Sequence, residues 1–343
     1  MADVTLEPPG SEATRAAAHP IQDGLWSPAR RTLTLGLVLT ITLVAFEALA
    51  VSTIMPNVAK ELGDVALYGW VFTAFFLGSL LGIVFVGGLI DRGGLVRPFI
   101  AGLALFSIGL VIGGLAPSMP VLVAARFLQG LGGGAIPPIA YVSIGRALPE
   151  TLRPRMFATM STAWVLPGVM GPALAGTIGE HLHWRIVFLG LLPIIVVAAA
   201  LTLGSLRRVP AAGVGEARES AAATASIRRL PSAILVALGA GIALAGLSAD
   251  GPVLAAGLLL VGLVIGIPAF NRLTPPGTIR AAHGLPATIL LRGLLTCGFF
   301  AADAFVPLAL QEWRGMDATI AGLALTAATL SWSHCRRLRT LPA

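Results

Sequence analysis

The chain has 343 residues, 56% of them hydrophobic and only 11% charged, with a mean hydropathy of +0.88. That balance excludes a water-soluble globular domain, which carries about 25% charged residues, and equally excludes a long disordered polypeptide. The formal charge of +7 does not mark a nucleic-acid binder, because the basic residues are spread over short separate segments instead of gathering on one face.

Residues 1–30 are polar, with Glu7, Pro8, Pro9, Gly10 and several alanines, and are expected to form a disordered cytoplasmic tail. The first apolar run is too long for the core of a cleaved signal peptide. Nine apolar stretches follow, at 33–55, 69–90, 98–117, 120–142, 158–179, 185–205, 231–249, 252–270 and 287–311. A bilayer core about 30 Å thick needs about 20 apolar residues per helix, so each stretch is predicted to span. Arginines concentrate in alternate connections: the N-terminus, 91–97, 143–157, 206–230 and 271–286. The opposite connections hold only Lys60, Arg185 and Arg314. The excess of positive charge on the cytoplasmic side predicts an inside N-terminus and a multi-pass protein of the cell (inner) membrane.

The chain divides into the tail (1–30), a six-helix bundle (31–205), a polar cytoplasmic linker (206–230), two charge-free linker helices (231–270) and the start of a second bundle (271–332). A basic tail closes it (333–343). A tenth apolar run, Ala318–Trp332, is too short to span and leads into Ser333-His334-Cys335-Arg336-Arg337. The second bundle is therefore expected to break off there, leaving Asp303 facing lipid. Cys297 and Cys335 offer no disulfide framework. His181 and His183 lie near one connection without a Cys or acid cluster beyond Glu180, so no metal is expected. No cofactor is implied either.

A charge within a spanning helix is costly and usually faces a partner or a water-filled cavity. Glu47, Arg126, Arg292 and Asp303 qualify. Arg292 is close enough to its helix start to snorkel. Glu47 lies about 13 Å from the outer end of its span and Arg126 about 9 Å, at 1.5 Å per residue, so the two could meet if spans one and four are neighbours. Such an acid can bind and release a proton as its surroundings change; alternatively, the pair statically locks two helices together. The first span (Ala45-Phe46-Glu47-Ala48-Leu49, then Pro56) and the ninth (Ala301-Ala302-Asp303-Ala304-Phe305, then Pro307) also place one acid at a similar depth, as repeat-built transporters do.

Four local sequences resemble a known family. Gly87-Gly88-Leu89-Ile90-Asp91-Arg92-Gly93-Gly94 resembles the G-x-L-x-D-R-x-G loop of the major facilitator superfamily, with Leu95 and Val96 where basic residues are usual. Ala125-Arg126-Phe127-Leu128-Gln129-Gly130-Leu131-Gly132-Gly133-Gly134 is similar to its fourth-helix motif. Pro167-Gly168-Val169-Met170-Gly171-Pro172 resembles the Gly-Pro motif of its exporters. Trp184-Arg185 with Phe188 and Pro193 is similar to helix six of the fourteen-span drug:proton antiporters. The resemblance implies an all-α membrane protein: a major-facilitator-type bundle with a complete N-terminal six-helix half and three to four further helices. It implies proton-coupled efflux of small apolar or cationic organic compounds, with Glu47, Arg126 and Asp303 in proton coupling. Gly87, Asp91, Arg92, Gly94, Gln129, Gly130, Pro167, Gly171 and Pro172 would serve conformational change. The expected partners are the bilayer, protons and substrate, with no nucleic acid and a monomeric chain. A non-transporting membrane protein, from a frameshift or serving as an accessory subunit, is the competing expectation. No nucleophile, metal or paired-carboxylate constellation suggests an enzyme.

Overall fold

A computed structural model describes residues 24–28, 30–209 and 216–327; the side chains of 91–93 and 216–228 lie outside that description. Among the described residues there are helices and turns and no strand. Backbone groups in hydrocarbon must be paired within the chain, and a helix does this without a neighbour.

Helix α1 (Arg31–Leu62) is 32 residues long and largely buried, with Ala45, Ala50, Val51, Ile54, Met55 and Val58 at or near zero exposure. A helix apolar all round belongs inside a bundle. Gly63 (φ +71°) ends it and Asp64 (φ +54°) follows, both left-handed, ahead of a 3-10 turn at Val65–Leu67. Helix α2 (Tyr68–Gly93) and α3 (Val96–Gly114) come next. The connection predicted over 91–97 is shorter than expected, because α2 continues through Asp91-Arg92-Gly93. Gly94 (φ +79°) then supplies the turn, a conformation with little cost only for glycine.

Helices α4 (Met119–Ala147) and α5 (Arg153–His181) are each 29 residues long. The sixth predicted span is two helices end to end, α6 (Trp184–Leu189) and α7 (Leu191–Leu206). Pro193 has no N–H to offer the Leu189 carbonyl, so the ladder breaks at Gly190. Helix α8 (Glu216–Leu247) starts well before residue 231, where its span was predicted, so much of the 206–230 linker is helical. Helices α9 (Pro252–Leu273), α10 (Leu285–Glu312) and the short α11 (Ala318–Ala327) complete the described chain.

Among the described residues, eight segments are long and apolar enough to cross a membrane, against the nine predicted. The exception is α5. It is long enough at 29 residues, but its Ser, Thr, Gly and Pro content lowers its hydropathy.

Packing follows the glycines. Helix α4 sits between α2 and α3. Its Gly130 lies against the backbone of Phe75 and Gly134 against that of Ser79, both on α2, while Gly132 meets Gly102 and Phe106 on α3. From the other side, Gly78 and Gly82 of α2 meet the backbone of Phe127 and Leu131. Small residues permit this approach, the main source of helix association in lipid. Helix α1 packs on α5 and α7, with Gly36 against Thr202. Helix α8 lies along α2 and carries α9 through Gly239, Gly246, Gly262 and Gly266. Helix α10 packs on α1, and α11 on α5 through Gly176 and Gly322.

The end of the bundle bearing residues 24–28 and the start of α1 is the proximal end, and the opposite end is distal. Replacing Gly130 with Val should lower Tm in detergent by several degrees, since the new side chain meets backbone that cannot rotate away; overpacking of this kind costs about 1–3 kcal/mol. Gly145 lies in the same helix facing open space, so Gly145→Ala should leave Tm unchanged or raise it slightly.

Candidate functional site

The site is built on α1, α2 and α4. Arg126 is 2% exposed and Glu47 1% exposed, and the Arg126 Nη1 donates to Glu47 Oε1. The same Nη1 donates to Gln129 Oε1 at 2.8 Å, one helical turn along α4. Arg126 Nε donates to the Val71 carbonyl of α2 at 3.3 Å, and the guanidinium carbon lies 4.3 Å from the centre of the Phe75 ring. The arginine is thus held by a carboxylate, an amide, a backbone carbonyl and an aromatic face, a cation–π contact strengthened by desolvation. Glu47 Oε2 and Gln129 Nε2 are buried without a hydrogen-bond partner among the described residues.

The glycine run accounts for this placement. Gly130 and Gly134 bring α4 onto the α2 backbone, which puts the Val71 carbonyl and the Phe75 ring beside Arg126. Sequence patterns singled out Glu47, Arg126, Gln129 and Gly130. They missed Phe75 and Val71, because a ring and a carbonyl in an apolar run look like any others.

Asp303 lies outside this network, on α10. It is 7% exposed and lies beside Ser52 of α1, whose hydroxyl donates to the Leu49 carbonyl at 2.8 Å. The expectation that it faces lipid is wrong: α1 and α2 cover it. Tyr68 of α2 donates its hydroxyl to the carbonyl of the next residue, Ala304, at 2.9 Å, and its ring lies tilted against that of Phe305 with centroids 5.7 Å apart. Arg292 is exposed near the proximal end of α10.

Among the remaining motif residues, Gly87 is half-buried in α2 and Gly94 makes the turn after it. The side chains of Asp91 and Arg92 lie outside the described residues. Pro167, Gly171 and Pro172 are buried within α5. Gly171 packs on Phe46 of α1, one residue before Glu47, while the Pro172 carbonyl faces Gly322 of α11. Prolines at these positions leave the Ala163 and Gly168 carbonyls without their i+4 donors, which favours a bend.

At the distal end, Glu61 accepts from Trp184 Nε1 at 2.6 Å and from Arg185, and Arg185 also reaches the Ala116 carbonyl at 3.1 Å. These bonds tie the ends of α1, α3 and α6 together. His183 stands 3.6 Å from Glu61, and His181 lies beside the Thr177 carbonyl. No group of three or more metal-ligating residues occurs among the described residues. A cavity of about 580 Å³ lies between α1 and α10 near this end, lined by Pro56, Ala59, Phe305, Val306 and Trp313 with Lys60 and Glu312. None of Glu47, Arg126 and Asp303 lines it.

Residues 37–334 match the family model of the Major Facilitator Superfamily. The chain belongs to that superfamily. Multidrug resistance protein 3 of Bacillus subtilis is 34% identical over 154 residues, covering 45% of this chain and 30% of that protein. A protein of Mycobacterium tuberculosis named "Probable multidrug-efflux transporter" is 27% identical over 301 residues, covering 85% of this chain and 63% of its own length. This superfamily member therefore spans less than two thirds of these curated relatives. In fold it resembles the crystal structure of a proton-dependent oligopeptide family transporter, with a TM-score of 0.54, 15% identity, and coverage of 85% of this chain and 67% of that one.

Removing one partner of a buried ion pair costs about 3–5 kcal/mol, whereas replacing both by apolar or neutral groups of similar volume can be close to neutral. Arg126→Met should therefore lower thermal stability in detergent more than the double variant Glu47→Gln/Arg126→Met. A double variant at least as unstable as Arg126→Met would show that the pair's charges are not coupled.

Proposed function

We propose that this protein works as a proton-coupled secondary transporter exporting small apolar or cationic organic compounds across the cell membrane, with its N-terminus cytoplasmic. Glu47 is the proton-binding group, Arg126 its modulator, and Asp303 a second acid. Superfamily membership and the multidrug-efflux names of its relatives support export over an accessory, non-transporting role. They also favour a transporter over an enzyme.

One observation supports Glu47 above the other acids. Arg126 engages Oε1, while Oε2 is buried without a partner among the described residues. Oε2 is thus the atom at which a proton can add without displacing an existing bond. Protonation neutralises the carboxylate and weakens its hold on the guanidinium. Arg126 then keeps Gln129, the Val71 carbonyl and the Phe75 ring. An arginine with those partners is not stranded when its counter-ion becomes neutral, which lowers the cost of breaking a buried pair. The contact can therefore open and close as the proton comes and goes, where a static lock would need no such reserve of partners.

In inverted membrane vesicles energised by a pH gradient, Glu47→Gln should abolish proton-driven movement of a fluorescent organic cation while the protein stays in the membrane at near wild-type level. Transport at the unaltered rate would remove Glu47 from the mechanism. The topology is checked separately with single cysteines in the Gly63–Asp64 turn and near Arg207. An impermeant maleimide applied to intact cells should label only the first, and labelling at Arg207 would reverse the orientation.

A further inference from the structure

The contacts of α10 and α11 with the first bundle are unevenly distributed along its length. From Leu291 to Gly298 α10 is exposed, whereas Asp303, Ala304, Pro307 and Gln311, nearer the distal end, are buried. Distal polar contacts cross the seam: Gln311 Nε2 donates to the Thr53 carbonyl at 3.3 Å, and Lys60 Nζ lies 3.1 Å from Glu312. A third involves Glu180, the next-to-last residue of α5. Its Oε2 accepts from the Thr319 backbone N–H at 3.0 Å and from the Thr319 hydroxyl at 2.6 Å.

This third contact is unusual in kind. Thr319 is in the first turn of α11, where backbone N–H groups have no partner within their own helix. A residue just before the helix commonly satisfies them. Here the carboxylate comes from 139 residues away. A negative group at that position is also favoured by the helix dipole, so the contact gains from both effects. Immediately below it, Gly176 of α5 meets the backbone of Ala318 and Thr319, and Gly322 of α11 meets that of Pro172. At those two positions no side chain stands between the helices, which holds Glu180 in register with the N–H it accepts from; further along, the Thr326 hydroxyl of α11 donates to the Val169 carbonyl of α5 at 2.8 Å.

We propose that Glu180 is the latch of the distal gate, closing the seam between α5 and α11 by capping α11 across it, with Lys60–Glu312 as a companion clasp. The location suits a contact that must release. Glu180 is exposed, so water replaces its partners as the seam opens and no buried charge is left bare. Loss of the cap frees the start of α11 to move away from α5, leaving the glycine contacts and the Thr326–Val169 bond further along to hold the two helices. The gating role rests on the transporter reading, but its test below requires neither substrate nor a proton gradient.

The test uses the full chain carrying Cys297→Ser and Cys335→Ser, with Thr53→Cys as the reporter. Thr53 is fully buried, in the distal half of α1 beside Gln311. In right-side-out vesicles, an impermeant maleimide should label it slowly. Glu180→Ala should speed labelling about fivefold, the order expected for losing a charge-assisted surface contact. Thr319→Val should speed it to a similar or smaller extent, because that change keeps the backbone donor. The double variant should match Glu180→Ala alone, because both changes break one interaction. A control cysteine at Ala125, buried inside the first bundle, should label no faster in any variant. An unchanged rate in Glu180→Ala, or an additive double variant, would overturn the latch. So would a matching rise at Ala125, which would mean that the contact holds the fold instead of the gate.

Discussion

The arginine at position 126 cannot stand alone in a membrane, and much of the first bundle follows from that. A guanidinium in hydrocarbon without partners costs at least 2.5–3.5 kcal/mol on insertion scales and more in isolated-helix estimates. Its partners lie on three helices: Glu47 on α1, Val71 and Phe75 on α2, and Gln129 on α4 itself. Hydrogen bonds fail over a few tenths of an ångström, so these helices must be placed closely. The glycines of α4 and α2 provide that closeness, with Gly130 and Gly78 each set against the other helix's backbone. The ion pair and the small-residue packing are thus one device: the packing makes the bond geometry attainable, and the bond penalises any slip in register.

What the sequence could and could not reveal follows from the range of each interaction. Apolar length is a local property, and the start of each span was legible to within a few residues wherever a helix is uniformly apolar, whereas α1 and α4 run on past their predicted ends to Leu62 and Ala147. The prediction weakened at α5, where Ser, Thr, Gly and Pro dilute the hydropathy, and at the 206–230 linker, whose polar residues form helix from Glu216 onward. The meeting of Glu47 and Arg126 was legible because both are charged, hence rare, and sit at similar depth. The Phe75 ring, the Val71 carbonyl and the Ser52 contact with Asp303 were not. Nothing in an apolar helix marks which carbonyl or ring will face a neighbour 55 residues away. Asp303 was misjudged for the same reason: its cover comes from α1 and α2, which are remote in sequence.

The distal end depends on a different kind of interaction. Its ties, Glu61 with Trp184 and Arg185, Lys60 with Glu312, and Glu180 with Thr319, involve side chains that reach water. Surface ion pairs contribute about 0–1 kcal/mol, so none is a strong staple. Two donors converging on Glu180 hold its carboxyl below the usual carboxylate range even at this exposed position. The molecule therefore has one region, around Arg126, where a contact that opens must be replaced by other protein partners, and another, along the distal seam, where water replaces it.

Helix α1 belongs to both regions. It carries Glu47 toward α4, and five residues on it carries Ser52 toward Asp303 of α10. At 1.5 Å per residue those positions are about 7.5 Å apart along one rigid axis. A shift of α10 at the seam alters the surroundings of Asp303 directly and leaves the Glu47–Arg126 contact intact unless α1 itself tilts. Phe46, adjacent to Glu47, packs against Gly171 in the proline-bearing stretch of α5, and α5 in turn meets α11 at Gly176. A bend at Pro167 or Pro172 is thus felt on one side by the residue next to the buried acid and on the other by the distal seam. The physical connection between the two regions runs through α5, whose prolines and glycines also make it the least apolar of the long helices in the first bundle.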